Sequence, residues 1–480
     1  MKPFLFILCA VIGGQLKAKD TPPNILWIVS DDHSWNQLGC GGHPDAKTPR
    51  LDALAAEGMR FNRCYASTPQ CLPSRATLFA GRSPVAMGMT RFTTPLHREI
   101  GIFPEILKKD GYFTAIAGRA HHIDGWSYTK TIPALYLKHQ LPNASARFDF
   151  VRDSNHGTSE QRRDEFFRHL DEFFAAAPAD KPFFLQFNFL DPHLPVSSRE
   201  LNPFAKQYDP AKLKLPADWP DTPAVREHYA LFLGLVSRLD HDVGRVLDML
   251  DQRNLTSNTL VVFTGDNGAA VFRGKGTLYE NGVRVPLIVR WPGKVKPGSV
   301  SESLISGEDF APTMLAALGK PIPPEMTGRS FLPLLLGKPH QPRSELFTAR
   351  SAHGDPLPTN SSCLDLSRSI VTDTHKLIYN ATWQIPYWPV DFFARDFWLE
   401  LVEMNKNGKL DERFRKLLFS PTRPMFELFD LTKDPLETEN LAGKAEHKSI
   451  EDDLRLRLTE WMLLENDYLP LPAPDAPAER

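Results

Sequence analysis

The chain has 480 residues, a formal net charge of -2, 42% hydrophobic residues and 24% charged ones. That length holds one large unit plus a smaller one, and the near-neutral balance excludes a basic nucleic-acid binder or a polybasic membrane partner. The 42 prolines imply long ordered loops laid over a scaffold.

The chain opens "MKPFLFILCAVIGGQLKAKD", with Lys2 as a minimal basic start, an apolar run from Phe4 to Ile12, and Leu16-Lys17-Ala18 as a cleavage site. The run is too short to cross a bilayer, so residues 1–18 read as a removable export leader. Cys9 lies inside the apolar run, which argues against a lipid anchor there, and no later segment reads as membrane-spanning. Without the leader Cys40, Cys64, Cys71 and Cys363 remain, as two disulfides or as free thiols. Either way they are too sparse to be the main support of so long a chain.

Four apolar runs then read as buried strands, and each ends in polar residues. Asn24 to Ser30 runs into Asp31-Asp32, Tyr112 to Gly118 into Arg119-Ala120-His121-His122, Pro182 to Leu190 into Asp191-Pro192-His193, and Thr259 to Gly265 into Asp266-Asn267-Gly268. Helix signals lie between them. Thr48-Pro49 reads as a cap followed by proline at the first helical position, with Gly58 as a left-handed terminator, and Phe103 to Asp110 ends at Gly111. Strands alternating with helices predict an α/β fold with a mostly parallel sheet covered on both faces. In such sheets ligands bind beyond the carboxyl ends of the strands, which is where all four polar clusters fall.

Asp31, Asp32, Asp266 and Asn267 offer hard oxygen ligands, suited to Ca²⁺ or Mg²⁺. A single Asp-Asp pair more often caps a turn; two such sets at strand ends favour a metal. His121 and His193, aimed at the same rim, suit acid–base or anion contacts, whereas His122 should diverge from its neighbour and His169 reads as a helix-face residue. Lys275 sits between glycines in "RGKGTLYENGVRVP", where the backbone can approach a bound anion.

Cys71 begins "CLPSRATLFAG", a helix with Pro73 near its first position and Gly81 just past its end. A helix N-terminus and Arg75 one turn along favour an anion, so Cys71 reads as a thiolate nucleophile or else as an inert buried cysteine. Cys71-Leu72-Pro73-Ser74-Arg75 followed by "ATLFAGRSP" resembles the signature of the type I, formylglycine-dependent sulfatases. The resemblance runs from Asn24 almost to the C-terminus, through "LDALAAEGMRFNRCYA", "DPHLP", "GDNG", "GKGTLYENGVRVPLIVRWPG" and "ELFDLTKDPLETENLA".

The resemblance implies an alkaline-phosphatase-like sandwich, with a catalytic domain over 22–340, a smaller C-terminal α+β subdomain over 341–470 and a proline-rich tail over 471–480. It implies that Cys71 is matured to formylglycine, and that Asp31, Asp32, Asp266, Asn267 and residue 71 hold one Ca²⁺. Arg75 would hold the nucleophile, Lys275 sulfate, His193 would protonate the leaving group and His121 would help release sulfate. The family's usual lysine two residues before this histidine is Arg119 here, a bulkier, bidentate cation.

"LHREIGIFPEILKKDGYFTAIAGRAHH" and "LIYNATWQIPYWPVDFFARDF" resemble the heparan N-sulfatase (N-sulfoglucosamine sulfohydrolase) branch. His97, His353 and Asp355 are then candidates for gripping a sugar, and Trp383, Tyr387 and Trp388 either stack on sugar rings or pack the subdomain down. The expected partners are a sulfated saccharide and a formylglycine-generating enzyme, with no nucleic acid and no membrane; a homodimer stays open. The expected location is secreted or periplasmic, or lysosomal in a eukaryote. O-sulfatase action on another polysaccharide, phosphohydrolase action and non-catalytic glycan binding are the alternatives. Sequons at Asn143, Asn254, Asn360 and Asn380 matter only in a glycosylating host.

Overall fold

A computed structural model describes residues 22–89, 92, 95–125, 131–154, 159–353 and 364–474. The expected leader over 1–18, Asp355, Asn360, Cys363 and the last part of the tail lie outside the described residues.

Side-chain alternation sets the layers. In β1 (Asn24–Ser30), Ile25, Trp27 and Val29 enter one apolar cluster while Leu26 and Ile28 enter another. Successive residues of a strand point to opposite faces, so an unbroken apolar run marks a strand buried on both. The first cluster takes in Leu72, Ala76 and Phe79 from α2 (Cys71–Ala80) and Phe103 and Leu107 from α3 (Phe103–Lys109), counting α1 as Pro49–Glu57. The second takes in Leu51 and Leu54 from α1, Phe166 and Leu170 from the helix Ser159–Ala176, and Leu239 and Val243 from the helix Pro223–Gln252.

The large sheet adds β2 (Met59–Tyr65), β3 (Phe113–Gly118), β4 (Phe150–Asp153), β5 (Phe183–Asn188), β6 (Thr259–Gly265), β7 (Arg284–Arg290), β8 (Ser299–Ser301) and β9 (Ile305–Ser306). Among the described residues it has nine strands in the order β4-β3-β5-β1-β6-β7-β2-β8, with β9 also on β2. β7 runs antiparallel to both neighbours; the other pairings are parallel. The expected mostly parallel, doubly covered sheet is therefore present. β4, β3, β5, β1 and β6 lie side by side and parallel, so their carboxyl ends open on one edge.

Two capping expectations are corrected. Gly58 is not left-handed but has φ -135, and a Cβ there would lie 2.3 Å from the Val289 carbonyl oxygen, so glycine is needed for close approach to β7. The Thr48 hydroxyl does not cap α1; it donates to Asp52 at 2.9 Å and accepts from the Gly39 amide at 2.8 Å. Gly81 does terminate α2 in the left-handed region, at φ 63.

Beyond the large sheet, β10 (Glu345–Ala352), β11 (Leu364–Thr372), β12 (His375–Asn380) and β13 (Phe426–Asp430) form a four-stranded antiparallel sheet. The helix Lys448–Leu464 covers it with Leu454, Leu458 and Met462 against Ile370, Leu377 and Leu428. The buried ammonium of Lys376 ties this sheet to the rest, 2.7 Å from Glu280 and 2.9 Å from Glu437. Asn380 is buried with its amide given to Pro424 and Glu427, which leaves no room for a glycan. Cys40, Cys64 and Cys71 are free thiols, so no disulfide joins them. Among the described residues no helix is long and apolar enough to cross a membrane.

Candidate active site

The carboxyl ends of β1 and β6 bring Asp31, Asp32, Asp266 and Asn267 together beneath the first turn of α2, all fully buried. One ligand atom each from Asp31, Asp32, Cys71 and Asp266 lies within 4.8 Å of the others. Cys71 Sγ is 3.5 Å from Asp31 Oδ1 and 3.9 Å from Asp32 Oδ1. The Asn267 amide nitrogen donates to Asp32 at 2.8 Å, while its Oδ1 is buried with no hydrogen-bond partner.

Crowded carboxylates next to an orphaned amide oxygen are what a hard divalent cation would resolve, and the donors present fit one. Burial pushes Asp32 up to about 7 and Asp266 up to about 6, with Asp31 adding to both by repulsion. Burial also pushes Asp31 up, but Arg119, His193, Arg75 and Lys275 outweigh it and hold that carboxyl well below the usual range. One carboxylate thus takes most of the cationic support. A divalent ion would supply the rest.

The cations are placed by separate elements. Arg75, 1% exposed on α2, donates through Nε to Asp266 at 3.0 Å and through a terminal nitrogen to Asp31 at 3.2 Å, and also bonds Asn188 at the end of β5. Arg119, just past β3, donates through Nε to Asp31 at 2.6 Å. Lys275 is buried and donates to Asp32 at 3.0 Å, to Asp391 at 2.5 Å and to His193 Nε2 at 3.2 Å.

These contacts overturn the thiolate reading of Cys71. Arg75 is spent on two aspartates and an asparagine rather than on sulfur, and burial, with Asp31 close behind, drives the thiol well above its ordinary value. The neighbouring carboxylates outweigh the helix N-terminus. Burial and the surrounding carboxylates disfavour the thiolate form.

The two histidines are held alike, each with Nδ1 against an oxygen and Nε2 left to accept. His121 Nδ1 is 2.7 Å from Asp153 Oδ1 at the end of β4, which places its proton on Nδ1 and leaves Nε2 as an acceptor. Burial lowers its affinity for a proton, Asp153 opposes this, and Arg119 and Arg75 add to the lowering. His193 Nδ1 donates to the Leu194 carbonyl, so its Nε2 faces Lys275. That nitrogen is also 3.6 Å from both Asp32 and Asp391. Asp32, His193 and Asp391 form a second close group of metal-type ligands, but the Lys275 ammonium stands among them as their counter-charge.

A cavity of about 290 Å³ opens over this floor, lined by Arg119, His121, His193, Asp391, Arg162 and Arg395 among others. His122 also lines it, contrary to the expected divergence, because Ala120–His122 is a tight 3-10 turn that brings the two imidazole centroids to 4.4 Å. His97 is corrected: it is exposed and lines a different cavity with Tyr136 and Arg147. His353 is buried behind the pocket wall, its ring 4.9 Å from that of Phe92, and its neighbour in the expectation, Asp355, lies outside the described residues. Tyr387 packs rather than presents a face: its hydroxyl accepts from the Arg273 amide at 3.0 Å and its ring meets Trp398 edge-on. Trp388 stacks on Phe393 within the same loop.

Asp153, Asn188 and Asp391 went unread in the sequence. Asp153 closes a strand, the same signal that marked the other clusters. Asp391 carries no such signal, since it arrives from a loop beyond the four-stranded sheet's third strand.

A family model described as Sulfatase matches residues 23–320, and one described as N-sulphoglucosamine sulphohydrolase, C-terminal, matches residues 268–388. The chain is 28% identical over 491 residues to the N-sulphoglucosamine sulphohydrolase of Homo sapiens, covering 94% of this chain and 92% of the relative. It is 28% identical over 464 residues to an ulvan-active sulfatase of Formosa agariphila, covering 93% and 81%. It is 32% identical over 397 residues to arylsulfatase A of Homo sapiens, covering 71% and 73%. Among solved structures, BT4656 in complex with its substrate D-glucosamine-2-N,6-O-disulfate superposes with a TM-score of 0.68 at 20% identity, covering 93% of this chain and 99% of that one. The phosphonate monoester hydrolase of Agrobacterium radiobacter superposes at 0.69 with 19% identity, covering 92% and 95%. At those identities the structures speak for the alkaline-phosphatase-like fold alone. The sulfatase match across more than half of the chain settles the rest: this protein belongs to the sulfatase family and is a hydrolase of sulfate esters or sulfamates.

Proposed function

We propose that the protein is an exported, calcium-dependent sulfatase that removes the N-sulfate of a terminal glucosamine in a sulfated glycan. The observation that carries this reading is the convergence of three carboxylates, Arg75, Arg119, Lys275, His121 and His193 around a buried Cys71 whose thiolate form is disfavoured. A neutral thiol among carboxylates has no use as a thiolate, but it is well placed as the precursor of formylglycine. The leader over 1–18 and the division into 22–340 and 341–470 belong to the same reading.

Asp31, Asp32, Asp266 and the Asn267 amide oxygen would hold Ca²⁺, which supplies Lewis-acid stabilisation of charge on a sulfate oxygen. Formylglycine at position 71, once hydrated, supplies an oxygen nucleophile with a second hydroxyl through which sulfate can be expelled. The residues around it do the remaining work. Arg75 fixes Asp31 and Asp266 so that their oxygens stay convergent. Lys275 meets the incoming anion, since its ammonium already sits between Asp32 and His193. Arg119 keeps Nε on Asp31 and adds its positive charge to the cavity that it lines. His193 Nε2 accepts from Lys275 at rest and so takes up a proton first, which it then passes to the departing atom; His121, with its proton on the Asp153 side, takes one up at Nε2.

The N-sulfated glucosamine reading is supported by the 28% identity to N-sulphoglucosamine sulphohydrolase over most of both chains and by the match at 268–388. Co-expression with a formylglycine-generating enzyme, mass analysis of the peptide spanning Cys71, and sulfate release from matched N- and O-sulfated saccharides test it. Faster release from N-sulfoglucosamine is expected. Faster release from an O-sulfated sugar would refute the N-sulfate assignment, and turnover only of phosphate esters would refute the sulfatase chemistry of the site.

A further inference from the structure

Asp391 lies in a loop of the C-terminal region, yet its carboxylate reaches the centre of the site. Its Oδ2 is 2.5 Å from Lys275 Nζ and 3.6 Å from His193 Nε2, and the residue lines the same cavity as His121 and His193. Its side chain is 9% exposed.

The loop is seated firmly. Asp391 holds a left-handed backbone at φ 70, a conformation that aspartate tolerates better than most side chains. The preceding residue, Val390, presses on Gly276 (φ +80), where an added Cβ would meet Val390 Cγ2 at 2.5 Å. Three residues before Gly276, the Arg273 amide donates to the Tyr387 hydroxyl. The segments carrying Lys275 and Asp391 are thus docked on each other, and the carboxylate is placed by packing rather than by chance.

A carboxylate at this place has a chemical consequence for the leaving atom. If His193 Nε2 delivers the proton, the departing atom must come within hydrogen-bond reach of it, and therefore close to Asp391. An ionised carboxylate only accepts, and it has about four lone-pair sites, so an ion pair with lysine does not exhaust it. A sulfamate, R–NH–SO3⁻, brings a hydrogen on its leaving nitrogen and can donate to Asp391. A sulfate ester, R–O–SO3⁻, brings only lone pairs and is repelled.

We infer that Asp391 is the residue that makes this site prefer a sulfamate over a sulfate ester. This rests on the N-sulfate reading above and supplies its physical reason. In net terms R–NH–SO3⁻ and water give R–NH2 and HSO4⁻. The S–N bond breaks with its electron pair kept on nitrogen, nitrogen takes the proton that His193 Nε2 has taken up in exchange for its Lys275 contact, an S–O bond forms, and water gives that proton back. Asp391 accepts the sulfamate N–H before cleavage and an amine N–H after it, and is itself unchanged.

The test separates recognition from support. A Cys71→Ala protein, which has no side-chain heteroatom to oxidise to formylglycine, is titrated calorimetrically with N-sulfoglucosamine and with glucose 2-sulfate, with Asp391 present and with Asp391→Asn. A hydrogen bond to a charged acceptor is worth roughly ten- to a hundredfold in binding. The ratio of the two affinities should therefore fall by about tenfold or more in the variant. The ratio of kcat/KM values on the same pair, in matured enzyme, should move the same way. Asn also tolerates the left-handed backbone, and Asp391→Gly relaxes it, so one of the two keeps the loop in place. Equal losses on both ligands in both variants would overturn the inference, leaving Asp391 a support for Lys275 and the N-sulfate reading intact. Tighter binding of glucose 2-sulfate than of N-sulfoglucosamine before Asp391 is changed would overturn both.

Discussion

Arg75→Met removes the charge from the middle of the carboxylate cluster while roughly preserving length. In the folded protein Arg75 is 1% exposed and bonds Asp31, Asp266 and Asn188, so the substitution strands two buried carboxylates and one amide oxygen together. Breaking a buried ion pair from one side costs about 3–5 kcal/mol, because the remaining charge has lost its solvent and its partner. The loss should depend on calcium. A cation that binds only the folded protein stabilises it by about 2.7 kcal/mol at a hundredfold excess over its Kd. In the variant the ion replaces charge that Arg75 had supplied. Urea unfolding in chelator and in excess calcium reads both effects. We expect the original protein to gain stability on adding calcium, and the variant to lose about 3–5 kcal/mol in chelator and to recover a larger share with calcium. A loss below about 1 kcal/mol in chelator would contradict a buried three-way pairing at Arg75. No calcium effect on either protein would contradict the cation site.

Cys71→Ala should abolish sulfate release and leave the protein folded, because it removes one buried sulfur from beside Asp31 and Asp32 at the edge of the core; release at the original rate would end the formylglycine reading. Asp153→Asn removes the group that raises the proton affinity of His121 against its burial, so the acid limb of kcat/KM should move to lower pH. The accompanying rate loss should stay below the roughly hundredfold or more carried by an acid–base group itself, and an unmoved limb would show that His121 is not the titrating base. His228 is buried against Phe397, and burial holds its imidazole down to about 3. The unfolded chain takes up that proton below about pH 6.5 and the folded one does not, so stability falls as pH drops from there toward 3, by about 1.4 kcal/mol per pH unit. His228→Leu should flatten the acid side of the stability profile by that slope; an unchanged slope would mean that the imidazole already binds its proton in the folded state.

Much of the site was legible because it is written locally. A strand buried on both faces must be an unbroken apolar run, and the residues that end it stand at the sheet's carboxyl edge, so Asp31, Asp32, His121, His193 and Asp266 announce themselves one strand at a time. The Cys71 helix and its stop at Gly81 were readable for the same reason. The tertiary structure alone decided what these groups do to one another. Strand order put β4 next to β3, which gave His121 its Asp153 and hence its tautomer. Close packing, not a left-handed turn, explains Gly58. The Cys71 thiol was expected to be acidified by a helix end and an arginine, and it is instead held neutral, because Coulomb interactions and desolvation depend on distance through space and Asp31 lies nearer to sulfur than sequence shows. Asp391 is the extreme case: nothing near it in the chain marks it, and it joins Lys275 and His193 only because two loops from different sheets dock on a glycine.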